Sequence, residues 1–336
     1  MKMLDVKSLP LLSHGASILG SGGGGDAAIL FSHLHYLLDK NGPVTIIDID
    51  ELAPEAVVIP LALIGAPLIS LERIPNLAMF INIINKIKLD FPEKTFVLMP
   101  AEIGGSNALT PFLLASALSL PVLDADLIGR AFPKLNMCKP AVLGKAKQVS
   151  YLSSPFGDCL RVETNTMAAL EEELRDLTVQ FGSSAAIATF LFQAKEVDEY
   201  VIPQSISRAM EIGEKMQATY LGSGWITEVN HEIQNGFLMG HAVIKQDKTE
   251  FILFYQNEYL CIQKNGINAA ESPSIIALIE SRSGVPISSE ALKYGLQVDI
   301  FILDAPAFWL QPDALSVVNL SAFDLNIQNK VAVCID

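Results

Sequence analysis

Cysteine is scarce in this sequence and never paired. The four in 336 residues, Cys138, Cys159, Cys261 and Cys334, include no C-x-x-C spacing. That excludes a disulfide scaffold and a thiolate zinc site, and the expected state is that of reduced thiols in the cytoplasm. Histidine offers as little. His33 and His35 stand two apart, on different sides of a helix, and His14, His231 and His241 are isolated, so no i, i+4 metal pair exists. Lys/Arg-rich runs are missing too, and a formal net charge of -14 argues against a nucleic-acid partner. The most apolar run, 56–69, is too short to span a bilayer and is broken by Pro60 and Pro67. Met1-Lys2-Met3-Leu4-Asp5 lacks the apolar core of a secretory signal. The expectation is therefore a cytoplasmic protein with no membrane contact.

What the chain does have is apolar residues: half of it is hydrophobic and 18% is charged, so a large core can form. A mean hydropathy of +0.37 then points to strands buried on both faces. The length is enough for two domains. Up to residue 123, helical spacing (26–40, 75–89, 106–118) alternates with β-branched runs (44–48, 55–64, 95–99, 121–123). That order predicts an α/β domain over 1–163, with a mostly parallel sheet and helices on both faces. Residues 164–336 read differently. Two helices (167–181 and 205–220) precede short strands at 225–232, 236–245, 250–255 and 259–263, with Asn265-Gly266 as a hairpin turn. This predicts a mainly β, barrel-like second domain.

The chemistry concentrates in loops. Gly22 to Gly25 are four consecutive glycines, and Asp26 opens the helix after them. Backbone without side chains lets N–H groups approach a ligand, and a helix start adds its own free amides. The run is preceded by a helix, so it is no dinucleotide fingerprint, and no Gly-Lys-Ser/Thr follows, so it is no P-loop. Three further loops follow strands. They contain Gly65-Ala66-Pro67 with Glu72; Glu102-Ile103-Gly104-Gly105-Ser106-Asn107; and Asp124-Ala125-Asp126 through Arg130-Ala131-Phe132-Pro133. In an open parallel sheet, ligands bind beyond the carboxyl ends of strands, where these loops lie.

Crowded carboxylates raise one another's pKa, which suits Asp124, Asp126 and Glu102 to activate water or hold a cation. Arg130 offers a fork for a substrate carboxylate or an oxyanion. Asn107 and the amides of Gly104 and Gly105 can bind a carbonyl or imide edge. Structural roles stand beside these: Asp26 as a helix cap, Glu72 as a solvated helix start, the two aspartates as turn acceptors, Arg130 as their ion-pair partner, and Cys138 as a buried thiol. No spacing identifies a nucleotide or zinc cofactor, and a metal held by carboxylates stays open.

Taken in order, these segments resemble the S-methyl-thiohydantoin desulfurase family, which is associated with hydantoinase/oxoprolinase systems. Gly236-Phe237 with Gly240, Gln256-Asn257-Glu258, Gly284-Val285-Pro286-Ile287, Glu290 and Tyr294-Gly295 extend the resemblance into the second half. The sequence departs from the family pattern at Ser274 and Glu280, where aspartate is expected, and over 318–323. The resemblance implies a three-layer α/β sandwich followed by a β-barrel-like domain. It also implies hydrolytic removal of sulfur from a thiohydantoin-like ring. In that reading a carboxylate among Asp124, Asp126 and Glu102 activates water, Gly22 to Gly25 and Asn107 stabilise charge on the ring, and Arg130 anchors an acidic substituent. The alternative is a non-catalytic metabolite-binding or accessory subunit of a hydantoinase-type partner. The apolar second half also allows a homo-oligomer.

Overall fold

The computed structural model describes residues 2–323 and 325, apart from 67, 68, 70, 71, 74, 146, 147 and 235. Pro67 and Cys334 thus lie outside the described residues. The helix Ala27–Asn41 starts where Asp26 accepts a hydrogen bond from the Ala28 N–H at 2.8 Å. Asn76 caps the helix Leu77–Asp90 in the same way, accepting from Met79 N–H at 3.2 Å. The strand Val57–Gly65 explains the long apolar run of the sequence. Val57, Ile59 and Leu61 pack into one core, with the helices Leu9–Leu19, Ala27–Asn41, Leu77–Asp90 and Thr110–Leu118. Val58 and Ala62 face a second core, with the helix Met167–Gln180, Trp309 and Val318. A strand covered on both faces has no polar side, so it cannot alternate.

Across this first sheet the order is Lys2–Leu4, Val44–Ile47, Val122–Leu123, Phe96–Pro100, Val57–Gly65, Ser184–Thr189, Gln148–Ser153 and Cys159–Thr164. The four strands of the βαβα segment pair in parallel, as their helical crossovers require. Every other pairing is antiparallel, so the sheet as a whole is mixed around a parallel centre. The chain beyond 164 contributes to this layer through Ser184–Thr189, which lies directly beside Val57–Gly65.

The second sheet has seven antiparallel strands. Their order is Ile267–Glu271, Glu258–Lys264, Thr249–Gln256, Phe237–Gln246, Thr219–Gln234, Gln297–Leu303 and Ile275–Glu280. The first five form a meander; Asn265 (φ 52°) and Gly266 (φ 82°) make the turn the sequence announced. The sheet curls into a half-barrel around Leu238, Phe251, Tyr255, Tyr259, Leu278 and Ile300. The curl brings Glu258–Lys264 near Ile275–Glu280. Among the described residues no helix is long and apolar enough to cross a membrane.

The glycine loop stitches that seam. The N–H of Tyr259 donates to Ser21 O, and the buried Ser21 hydroxyl accepts from Ile276 N–H at 3.1 Å. Ser289 N–H donates to Gly22 O at 2.8 Å. On the other side, a Cβ on Gly24 would overlap the backbone of Gly104, and its φ of +74° disfavours a side chain as well. Gly24→Ala should therefore cost more than about 2 kcal/mol, from backbone overlap added to strain. Gly144→Ala, at φ +68° in open space, should cost only about 1 kcal/mol. Urea denaturation midpoints of the two variants check the difference.

Candidate active site

Three glycines of the loop, Gly23, Gly24 and Gly25, form one wall of a cavity of about 440 Å³ where the two sheets meet. The Gly23 N–H donates to Gly20 O at 2.9 Å, whereas those of Gly24 and Gly25 have no acceptor among the described residues. Ser106 fixes the wall from behind: its N–H donates to Gly25 O and its hydroxyl to Gly24 O, both at 3.0 Å. Ala62, Leu127, Ile128, Phe132, Ile187 and Phe190 make the opposite side apolar.

Glu102 and Asn107 also line the cavity, and they act on each other. The Leu63 N–H donates to Asn107 Oδ1 at 2.7 Å, which leaves Asn107 Nδ2 to donate to Glu102 Oε1. The amide is thus oriented by the first sheet and in turn aims the carboxyl. Burial, offset by the Asn107 hydrogen bond and aided by the charge of Asp126, raises the Glu102 pKa to about 7. A carboxyl with that pKa accepts and returns protons near neutrality.

The other expected residues separate from this group. Asp124, expected as a catalytic carboxylate, is buried away from the cavity wall. Its carboxylate accepts from Lys2 Nζ at 2.9 Å and from Ser207 N–H at 3.0 Å, so it ties the N-terminal strand to the helix Ser205–Glu214. Asp126 is fully buried, accepting from Ile103 N–H at 2.8 Å and Gly129 N–H at 2.7 Å. Burial lifts its pKa to about 7, yet it lies behind the wall and acts on Glu102 only through its charge. The expected pocket of three carboxylates is therefore met by Glu102 alone.

Arg130 is likewise no substrate anchor. It is fully buried 4.4 Å over the Phe132 ring, and its Nη1 donates to Pro273 O at 2.7 Å and Ser274 O at 2.8 Å. It clamps the half-barrel to the first layer, and burial draws its pKa down to about 10. Glu72 is exposed, and Gly104 and Gly105 pack on the glycine loop instead of lining the cavity. Gly22 packs against the Tyr259 ring, and Asp26 caps its helix. Cys138 lines the cavity as a buried thiol, pushed up to about 12 by burial, so it is no thiolate.

Further charged residues that the loop motifs did not single out line the cavity: Lys134, Glu171, Arg175 and Asp176, and, from the second sheet's side, Glu258 and Glu290. Burial raises these last two carboxyls, Glu258 well above the usual range, and the charge of Glu102 adds to the rise at Glu258. In the sequence the signs of Glu258 are its place in the family-like triplet Gln256-Asn257-Glu258 and that triplet's interruption of apolar strands. Glu102 ionises near neutrality while burial raises Glu258 and Glu290, and carboxyls whose environments differ in this way can divide the roles of base and acid in adding water to a polar double bond.

The pattern of the S-Me-THD-like N-terminal domain matches residues 7–164, and that of the S-Me-THD-like C-terminal domain matches residues 164–331. A crystal structure of a protein from Chromobacterium violaceum is similar over 94% of this chain and 95% of that one, with a TM-score of 0.77. At 20% identity that likeness shows a shared fold. A comparison with curated proteins gave no match. Both domains of one pattern run through nearly the whole sequence, and the chain belongs to the S-Me-THD-like family.

Proposed function

We propose that this chain is a hydrolase that removes sulfur from a thiohydantoin-like five-membered ring. The observation that carries the reading is Glu102, aimed by Asn107 into a partly apolar cavity beside the glycine amides. The family description supports the substrate class, and a cavity of about 440 Å³ is in the range of small-ligand sites. Glu102 takes a proton from water as the water oxygen bonds to the ring carbon that bears sulfur. The electron pair of the ring C=N bond moves to nitrogen, where the free N–H groups of Gly24 and Gly25 stabilise the charge. The C–S bond then breaks as the new C=O forms. The balance is one water and one S-alkyl thiohydantoin giving one hydantoin and one thiol.

Glu102→Gln should lower kcat on an S-methyl-thiohydantoin on the order of 100- to 1000-fold with unchanged circular dichroism. Asp124→Ala should instead leave kcat within about threefold and lower stability by about 2 kcal/mol, because Lys2 and Ser207 lose a buried acceptor. Steady-state kinetics and denaturation of the two variants separate the roles. Because the base must be ionised, kcat should rise with pH through about 7. A kcat that falls over the same interval would remove Glu102 as the base.

A further inference from the structure

Resting on that hydrolytic reading, we propose that Glu258, supplied by the half-barrel, is the proton donor to the departing sulfur. The reaction centre is then complete only where the two layers meet. Glu258 starts its strand across a tight turn from Gln256, with Asn257 between them at φ 57°. The turn is clamped: Asn257 N–H donates to Leu238 O at 2.7 Å, and Leu238 N–H donates to Asn257 Oδ1 at 2.9 Å. A Cβ on Gly23 would overlap Glu258 Oε1, so the carboxyl rests directly on the glycine wall of the cavity. Its Oε2 has no hydrogen-bond partner among the described residues, and the residue is 3% exposed. Opposite it, both amide atoms of the fully buried Gln256 are also without partners there. A buried carboxyl with an uncommitted oxygen on a cavity wall is a group held for something that enters the cavity.

Its protonation state fits. Arg130 spends Nε and Nη1 on the carbonyls of Ala131, Pro273 and Ser274; its buried Nη2 has no hydrogen-bond partner among the described residues, and its charge draws the Glu258 carboxyl back down in part. Burial, aided by the charge of Glu102 and opposed by that of Arg130, still raises Glu258 well above the usual carboxylate range, while Glu102 ionises near 7. Two acids driven apart in this way divide into a base and an acid.

The proton balance closes. Glu102 takes the first water proton and passes it to the ring nitrogen. As the C–S bond breaks, its electron pair goes to sulfur and the Glu258 proton follows it. The second water proton, released as the C=O forms, restores Glu258. A methanethiolate leaving group is a strong base and needs this proton, whereas a 4-nitrothiophenolate is a weak base and does not.

The test compares S-methyl- and S-(4-nitrophenyl)-thiohydantoin with the full chain. Glu258→Gln should lower kcat on the S-methyl substrate on the order of 100-fold or more, and on the S-aryl substrate less than about 10-fold. Glu102→Gln should lower both alike. Equal losses for Glu258→Gln on both substrates, or a leaving-group dependence that follows Glu290→Gln instead, would overturn the assignment and leave the hydrolytic reading standing. A wild-type chain that turns over neither substrate would remove the reading and the assignment together. Should Glu258→Gln not fold, the wild-type pH profile decides. A fall in kcat at high pH with the S-methyl substrate that is absent with the S-aryl one supports the donor, and identical profiles contradict it.

Discussion

Backbone meeting backbone is the constraint on which this structure depends. Gly24 lies against Gly104 and Gly105, while Gly23 lies under the Glu258 carboxyl. A side chain at Gly24 would push the glycine loop off the 101–107 loop, and one at Gly23 would push it off the half-barrel. That close approach helps form the cavity, because its walls come from stretches far apart in sequence, among them the glycine loop, the 101–107 loop, residues 127–138, the helix Met167–Gln180 and the second sheet. Ser21 and Arg130 hold the approach, the first through the strands Glu258–Lys264 and Ile275–Glu280, the second through Pro273 and Ser274.

The electrostatics follow from the same junction. Five carboxyls line one cavity, those of Glu102, Glu171, Asp176, Glu258 and Glu290, together with Lys134 and Arg175, while the buried Arg130 donates to carbonyls through Nε and Nη1 and leaves Nη2 without a partner among the described residues. Among the described residues no group of three His, Cys, Asp or Glu is arranged to hold a metal ion. Burial raises the Glu102, Glu258 and Glu290 carboxyls, and the charge of Arg130 draws Glu102 and Glu258 back down in part. Asn107 matters because its amide, fixed by the Leu63 N–H, can only donate toward Glu102 and so favours the ionised form there.

Local signals made the parallel centre of the first sheet legible, since helix caps and β-branched runs alternate from 26 to 123. The meander and its Asn265-Gly266 turn were legible for the same reason. The antiparallel wing at 148–164 and 184–189 was not, because its place in the sheet is set by pairing with Val57–Gly65 more than 100 residues away. Gly23 to Gly25, Glu102 and Asn107, expected from composition and position, line one cavity. Asp124, Asp126 and Arg130 could not be assigned correctly, because acids and an arginine in a loop look alike whether they meet a ligand or bind buried amides and carbonyls. Glu258 and Glu290 stood out only through the resemblance, without a role, because only the curl of the half-barrel brings them to the glycine loop.

The central claim is that one small ring sits between the glycine wall and the glutamates of both layers. A crystal structure of the chain soaked with a hydantoin, the product of the proposed reaction, tests it most directly. The account predicts ring density in the 440 Å³ cavity, within hydrogen-bond distance of Glu102 and Glu258 and in contact with Gly24. A hydantoin bound elsewhere, with this cavity closed by side chains, would contradict it.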